Sequence, residues 1–178
     1  RGWHNRSMTT DGPWLVVGLG NPGAQYASTR HNVGYLTLDV LASRGGATLT
    51  SHRSRTHTAH VRLGIGPGGV PGPRVILARS DSYMNTSGGP ISALASFHKI
   101  EPSRILVIHD DMDLPAHTLR LKIGGGEGGH NGLKSLSQHL GTRDYARLRI
   151  GVGRPPGRMD PADYVLATLP SKERPDWD

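Results

Sequence analysis

Asn21 and His31 lie ten residues apart in GLGNPGAQYASTRHNVG, residues 18–34, a glycine turn that follows an apolar run. Core packing selects neither residue type, and both suit the handling of a proton and a carbonyl. An imidazole with an ordinary pKa of about 6.5 can take and return a proton at neutral pH. Three further polar segments share the same design. YMNTSGG, Tyr83 to Gly89, offers Met84 and Asn85 after an apolar run, where Asn85 is either a substrate-facing amide or a helix cap competing with Thr86 and Ser87. HDDMDLP, His109 to Pro115, sets Asp110, Asp111 and Asp113 at the end of another run. That cluster is readable as a turn, as the partner that orients a histidine, or as a divalent-metal site lacking a second group of carboxylates. KIGGGEGGHNGLKS, residues 122–135, has six glycines between Gly124 and Gly132 and ends in His130 and Asn131. Such density means mobility or close backbone approach to a ligand, or a plain hairpin whose Asn131 caps the next helix.

The elements that must position these residues alternate between β-rich apolar runs and helical periods, the pattern of an α/β fold. Strands are expected over Trp14–Gly20, Ala59–Ile65, Arg74–Ala78, Ile105–Asp110, Thr118–Ile123 and Ala146–Val152. The first delivers Asn21 at its carboxyl end, where open α/β sheets hold their ligands. Helices are expected over Val33–Ser43, with Val33, Leu36, Val40 and Leu41 at helical spacing, and after Pro90 through Ile91, Leu94, Ala95 and His98. Two more are expected over Gly132–Leu140 and Pro161–Thr168, and GIGPGGVPGP, Gly64 to Pro73, reads as a long hairpin loop. The expected architecture is a single domain with a twisted, mixed and mostly parallel sheet flanked by helices on both faces.

The length of 178 residues suits one domain with its own core. Residues 1–12 read as a disordered N-terminal lead or expression remnant, with the domain over 13–178. The chain has no cysteine, which removes disulfides and a thiol nucleophile and accords with a reducing, cytoplasmic setting. No apolar run approaches the roughly 20 residues of a membrane span, so no membrane partner is expected. The formal charge of +7, from 21 Lys plus Arg against 14 Asp plus Glu, favours a polyanionic partner such as nucleic acid. Lys122, Arg147 and Arg149 alternate with apolar neighbours and could grip phosphates or simply form a solvated strand face.

Gly18, Gly20 and Gly23 spell a literal GxGxxG after a strand, the mark of a dinucleotide site. Pro22 breaks the turn, the helical period begins only near Val33, and Asp39 lies inside that helix rather than after a second strand. No nucleotide cofactor is expected, and no metal.

GLGNPG, Tyr26, TRHNVG, YMNTSG, HDDMDLP, KIGGGEGGHNGLKS and RLRIGVGRPPG, in that order and spacing, resemble the bacterial-type peptidyl-tRNA hydrolase family. The resemblance runs from Trp14 to Leu169, and HDDMDLP and GVGRPPGR look like those of an actinobacterial member. It implies hydrolysis of the ester between a peptide and the 3′-ribose of tRNA, which recycles tRNA from prematurely released peptidyl-tRNA. His31 matches the family's general base, Asp110 the carboxylate that orients it, and Asn21 and Asn85 the amides on the peptide and its carbonyl. Asn131 matches the amide that holds water near the base. Tyr26, Met84 and His130 fall among the substrate-binding positions, and Lys122 with Arg149 matches the pair that clamps the 5′-phosphate. The resemblance also implies a C-terminal helix bordering the cleft that is missing after SKERPDWD; a monomer is expected by default, since no apolar patch can be read from a one-dimensional pattern. A non-catalytic RNA-binding relative of the same fold is the alternative; retention of His31, Asp110 and the three asparagines argues against it.

Overall fold

A computed structural model describes residues 12–64 and 67–169. Seven strands form one sheet: β1 (Trp14–Gly18), β2 (Thr50–His52), β3 (Thr56–Arg62), β4 (Arg74–Ser80), β5 (Ile105–Asp111), β6 (Leu119–Ile123) and β7 (Ala146–Gly151), in the order β2-β3-β4-β1-β5-β7-β6. The helices are α1 (Val33–Arg44), α2 (Gly88–Phe97), α3 (Asn131–Leu140) and the short α4 (Pro161–Val165). The sheet is mixed as expected, but parallel pairing is confined to the four central strands, β4, β1, β5 and β7. The three edge pairings, β2–β3, β3–β4 and β6–β7, are antiparallel. Two of these close through hairpins, which need no crossover helix.

Central parallel strands are covered on both faces, so they read as unbroken apolar runs. Leu15, Val17 and Leu19 of the first run pack with Ile91, Leu94, Leu133 and Leu136 of α2 and α3. Val16 faces the other way, into a second cluster with Val33, Leu38, Ala42, Leu77 and Ile108 on the α1 side. The helix-on-both-faces arrangement follows from that alternation. α1 seats unusually close: a Cβ on Gly18 would stand 2.4 Å from the Gly34 carbonyl oxygen, and one on Gly34 would stand 2.6 Å from the carbonyl oxygens of Leu19 and Ile108. Gly20 lies likewise under the Tyr35 ring, where a Cβ would come within 2.7 Å. Two of the glycines in the nucleotide-like pattern therefore serve close strand–helix packing, and Gly23 leads into a single 3₁₀ turn, Ala24–Tyr26, instead of a helix.

Several boundaries differ from expectation. The first strand ends at Gly18 and the second long one runs Thr56–Arg62, with Ile65 outside the described residues. α2 begins at Gly88, ahead of Pro90, and α4 stops at Val165. The buried stripe of α1 is Val33, Leu38 and Ala42, with Leu36, Val40 and Leu41 only half-buried, so the helix is rotated from the expected face. The hairpin loop over 64–73 joins β3 to β4, and the N-terminal lead falls outside the described residues except for Gly12, whose carbonyl accepts a hydrogen bond from Arg104. Among the described residues no helix is long and apolar enough to cross a membrane.

Candidate active site

The carboxyl ends of β1, β4 and β5 open into a cleft of about 530 Å³, whose walls include Asn21, His31, Met84, Asn85, Asp110, His130 and Asn131. Three of the four chain segments converge there because parallel strands put their carboxyl ends on one rim, and the fourth is brought back to it by the glycine loop between antiparallel β6 and α3.

His31 lies in a 3₁₀ turn, Arg30–Asn32, directly before α1. This turn is tied down at its back by the α4 region: Arg30 N–H donates to Ala167 O at 3.3 Å, and Thr29 bridges Thr168. The Arg30 guanidinium stacks over the Tyr164 ring at 4.1 Å, and the Tyr164 hydroxyl donates to Val152 O at 2.8 Å. His31 Nδ1 meets Asp110 Oδ2 at 2.8 Å. Facing a buried carboxylate, Nδ1 carries the proton, which leaves Nε2 with a free lone pair on the opposite edge of the ring.

Asp110 is only 4% exposed, and its other oxygen, Oδ1, takes His130 Nε2 at 2.8 Å. Burial alone would raise its pKa, but His130 and His31, by charge and hydrogen bond, outweigh that and hold the carboxyl well below the usual range. Its backbone carbonyl accepts from His109 Nδ1 at 2.8 Å. Three imidazoles thus converge on one residue. His109 Nε2 is buried without a partner among the described residues, and burial, reinforced by neighbouring His130, pushes this imidazole down to about 4.

Asn21 is fixed by reciprocal bonds with buried Asn32: Asn21 N–H donates to Asn32 Oδ1 and Asn32 Nδ2 to Asn21 O, both at 2.8 Å. Its side-chain oxygen accepts the Met84 N–H at 2.7 Å. The amide is therefore oriented with its NH₂ end as the part still available to a ligand. Asn32 carries no expected role, although TRHNVG displays it beside His31; a residue that holds another's backbone gives no one-dimensional signal.

Asn85, in the 3₁₀ turn Met84–Thr86, and Asn131, the first residue of α3, are both exposed on the cleft wall. The cap of α3 is His130, whose Nδ1 accepts from Gly132 N–H at 3.1 Å and Leu133 N–H at 3.3 Å, so Asn131 is not the capping residue. Tyr26 stands outside the cleft lining, edge-on to the Tyr83 ring at 6.2 Å.

Lys122 and Arg149 both border the cleft, and Arg149 Nε is steadied by Asp111 Oδ2 at 2.9 Å. Arg147 is neither a phosphate grip nor a solvated strand residue. It is 1% exposed, and its guanidinium donates to the carbonyls of Gly126 at 2.5 Å, Gly125 at 2.8 Å and Arg143 at 2.9 Å. It anchors the glycine loop from below.

The donor atoms of His31, Asp110 and His130 lie within 4.8 Å of one another, close enough to suggest a divalent ion. Each Asp110 oxygen already accepts an imidazole N–H, and the remaining His130 nitrogen is spent on α3. The ligand atoms are turned on one another, which makes this a hydrogen-bonded relay; a metal would have to break both bonds.

A family model described as peptidyl-tRNA hydrolase matches residues 15–178. The chain is 58% identical over 163 residues to the peptidyl-tRNA hydrolase of Kineococcus radiotolerans, covering 92% of this chain and 82% of that protein. It is 59% identical over 166 residues to that of Frankia alni, covering 93% and 81% respectively. Among solved structures it is similar to the peptidyl-tRNA hydrolase of Acinetobacter baumannii, with a TM-score of 0.82 and 36% identity over 94% of this chain and 82% of that one.

Proposed function

The chain belongs to the peptidyl-tRNA hydrolase family and is an enzyme that hydrolyses the ester of peptidyl-tRNA, and we propose that His31 is the general base that activates the attacking water. The observation that carries this is the free Nε2 of an imidazole whose Nδ1 is bound to a buried carboxylate on the rim where the asparagines converge.

His31 Nε2 takes a proton from water, and the hydroxide attacks the ester carbonyl. Asp110 keeps the proton on Nδ1 and stabilises the imidazolium. The Asn21 NH₂ group donates to the oxyanion, an interaction worth roughly 3 kcal/mol in comparable sites. As the carbonyl–oxygen bond breaks, His31 returns the proton to the departing 3′-oxygen of the ribose, leaving a peptide carboxyl and free tRNA. Asn131 holds the water, while Asn85 and Met84 contact the peptide end. Tyr26, beside Tyr83, meets the substrate outside the cleft proper. Lys122 and Arg149 take a tRNA phosphate, and the rest of the positive surface follows the A-form backbone without reading sequence. The base is a side chain and the nucleophile water, so the reaction needs no metal or nucleotide cofactor. A monomer working in the cytoplasm belongs to the same proposal, and the absence of cysteine from the sequence accords with that compartment.

The test is release of tRNA from an N-acetylated aminoacyl-tRNA in the presence of a chelator. Wild type is expected to turn over, and His31→Ala to lose on the order of 10²- to 10⁴-fold in kcat while still binding tRNA. A chelator-sensitive wild type, or an active His31→Ala, would sink the mechanism.

A further inference from the structure

We propose that His130 is a positioning residue for the hydrolysis, locked by the amino end of α3 as the Nε2–H imidazole so that it fixes the Asp110 carboxylate for His31 alone. This rests on the reading of His31 as the base.

The tautomer follows from the partners. Gly132 N–H and Leu133 N–H both point at His130 Nδ1, at 3.1 and 3.3 Å, and a backbone N–H can only donate. Nδ1 must present its lone pair, so the proton sits on Nε2 and is given to Asp110 Oδ1 at 2.8 Å. His31 holds the mirror arrangement on Oδ2, with its proton on Nδ1. Two imidazoles 5.0 Å apart therefore share one carboxylate in opposite tautomers, and only His31 has a nitrogen left for substrate. Placed among the substrate-binding positions by resemblance, His130 has both nitrogens engaged within the protein.

The carboxylate needs this second donor. Asp110 is buried, and a buried carboxylate with one oxygen unpaired is costly and free to turn toward its remaining partner. The other charged or titratable groups around it do not replace His130. His109 bonds the Asp110 backbone, Asp111 is turned to Arg149, Lys122 stands across the cleft on β6, and Glu127 pairs with Arg143. Without His130 the carboxylate would draw on the His31 N–H alone. The imidazolium would be favoured and the ring would lose its fixed angle.

His130→Asn separates the two bonds. Asparagine is a good helix cap, but its side chain is too short to reach Asp110 from the same position. Expected for this variant are a melting temperature lowered by the unpaired Asp110 oxygen but above that of His130→Ala, kcat lower by about tenfold, KM within about twofold, and an acid limb of the kcat/KM profile moved to higher pH. His130→Ala, which loses the cap of α3 as well, should melt lower still. In the wild type, ¹⁵N-histidine NMR is expected to show His130 as the Nε2–H and His31 as the Nδ1–H tautomer. An Nδ1–H signal at His130 would overturn the inference. So would a His130→Asn enzyme with raised KM, unchanged kcat and an unmoved acid limb, the behaviour of a substrate contact. Turnover surviving in His31→Ala would instead overturn the base reading, in a variant that leaves the His130 bonds untouched.

Discussion

An amide can offer a substrate a donor or an acceptor, and at Asn21 the Met84 N–H has already taken the acceptor. Asn21→Asp keeps an oxygen for Met84 but faces the developing oxyanion with a carboxylate. It is expected to lower kcat by roughly 10²- to 10³-fold, with little change in melting temperature, in the tRNA-release assay. His109 makes a different prediction. Its folded pKa lies near 4, below the ordinary histidine value of about 6.5, so the unfolded chain binds the extra proton. The stability from this group is complete above pH ~6.5 and falls by up to about 1.4 kcal/mol per pH unit until about pH 4. Asp110, with its depressed pKa, adds stability above about pH 3.9 that is lost only further down, so the two windows separate. Urea denaturation of wild type and His109→Asn between pH 7 and 4 should show a shallower slope in the variant. Residue types at the site were legible because asparagines and a histidine at strand ends have little structural use. Arg147 was not, because an alternating strand residue looks the same whether water or a glycine loop covers it.

Helix α1 rests on β1 and β5 through Gly18 and Gly34, with no side chain between backbones. Gly34→Ala forces the helix off the sheet and moves the turn that carries His31. A loss of roughly 1–3 kcal/mol in urea denaturation is expected, together with reduced turnover. Arg147 acts at the same scale. Arg147→Lys keeps the charge but cannot hold the carbonyls of Gly125, Gly126 and Arg143 together. Amide exchange over residues 124–129 is expected to quicken while that of α1 stays unchanged. The central strands were readable from their apolar runs, since burial on both faces leaves no alternation to misread. β2 was missed because Thr50–His52 is three polar residues whose strand character comes only from pairing with β3. The face of α1 was misjudged because Gly34, the residue of closest contact, counts as nothing in a hydrophobic period.

For the whole molecule, a charge of +7 and a basic rim predict a salt-sensitive Michaelis constant. KM for the tRNA substrate should rise steeply between 50 and 200 mM salt. Lys122→Ala and Arg149→Ala should each reduce the log–log slope by about 1, with kcat nearly kept, when rates are taken across a salt series. Net charge was legible in composition. Lys122 and Arg149 were singled out by resemblance and do border the cleft, whereas composition and alternation alone could not separate them from Arg147, which lies opposite Lys122 but is turned inward.

His31 and Asp110 are 79 positions apart, and His130 follows 20 later. During its own synthesis this protein is itself a peptide esterified to tRNA, the kind of bond it cuts. Because the strand order places β1 beside β5, a growing chain that has reached α1 holds His31 before the Asp110 carboxylate that it meets has been made. The relay closes only after the ribosome has added and released the residues through α3. A length of chain that stops short of α3 therefore lacks the His130 end of the cluster, however well its first strands have formed.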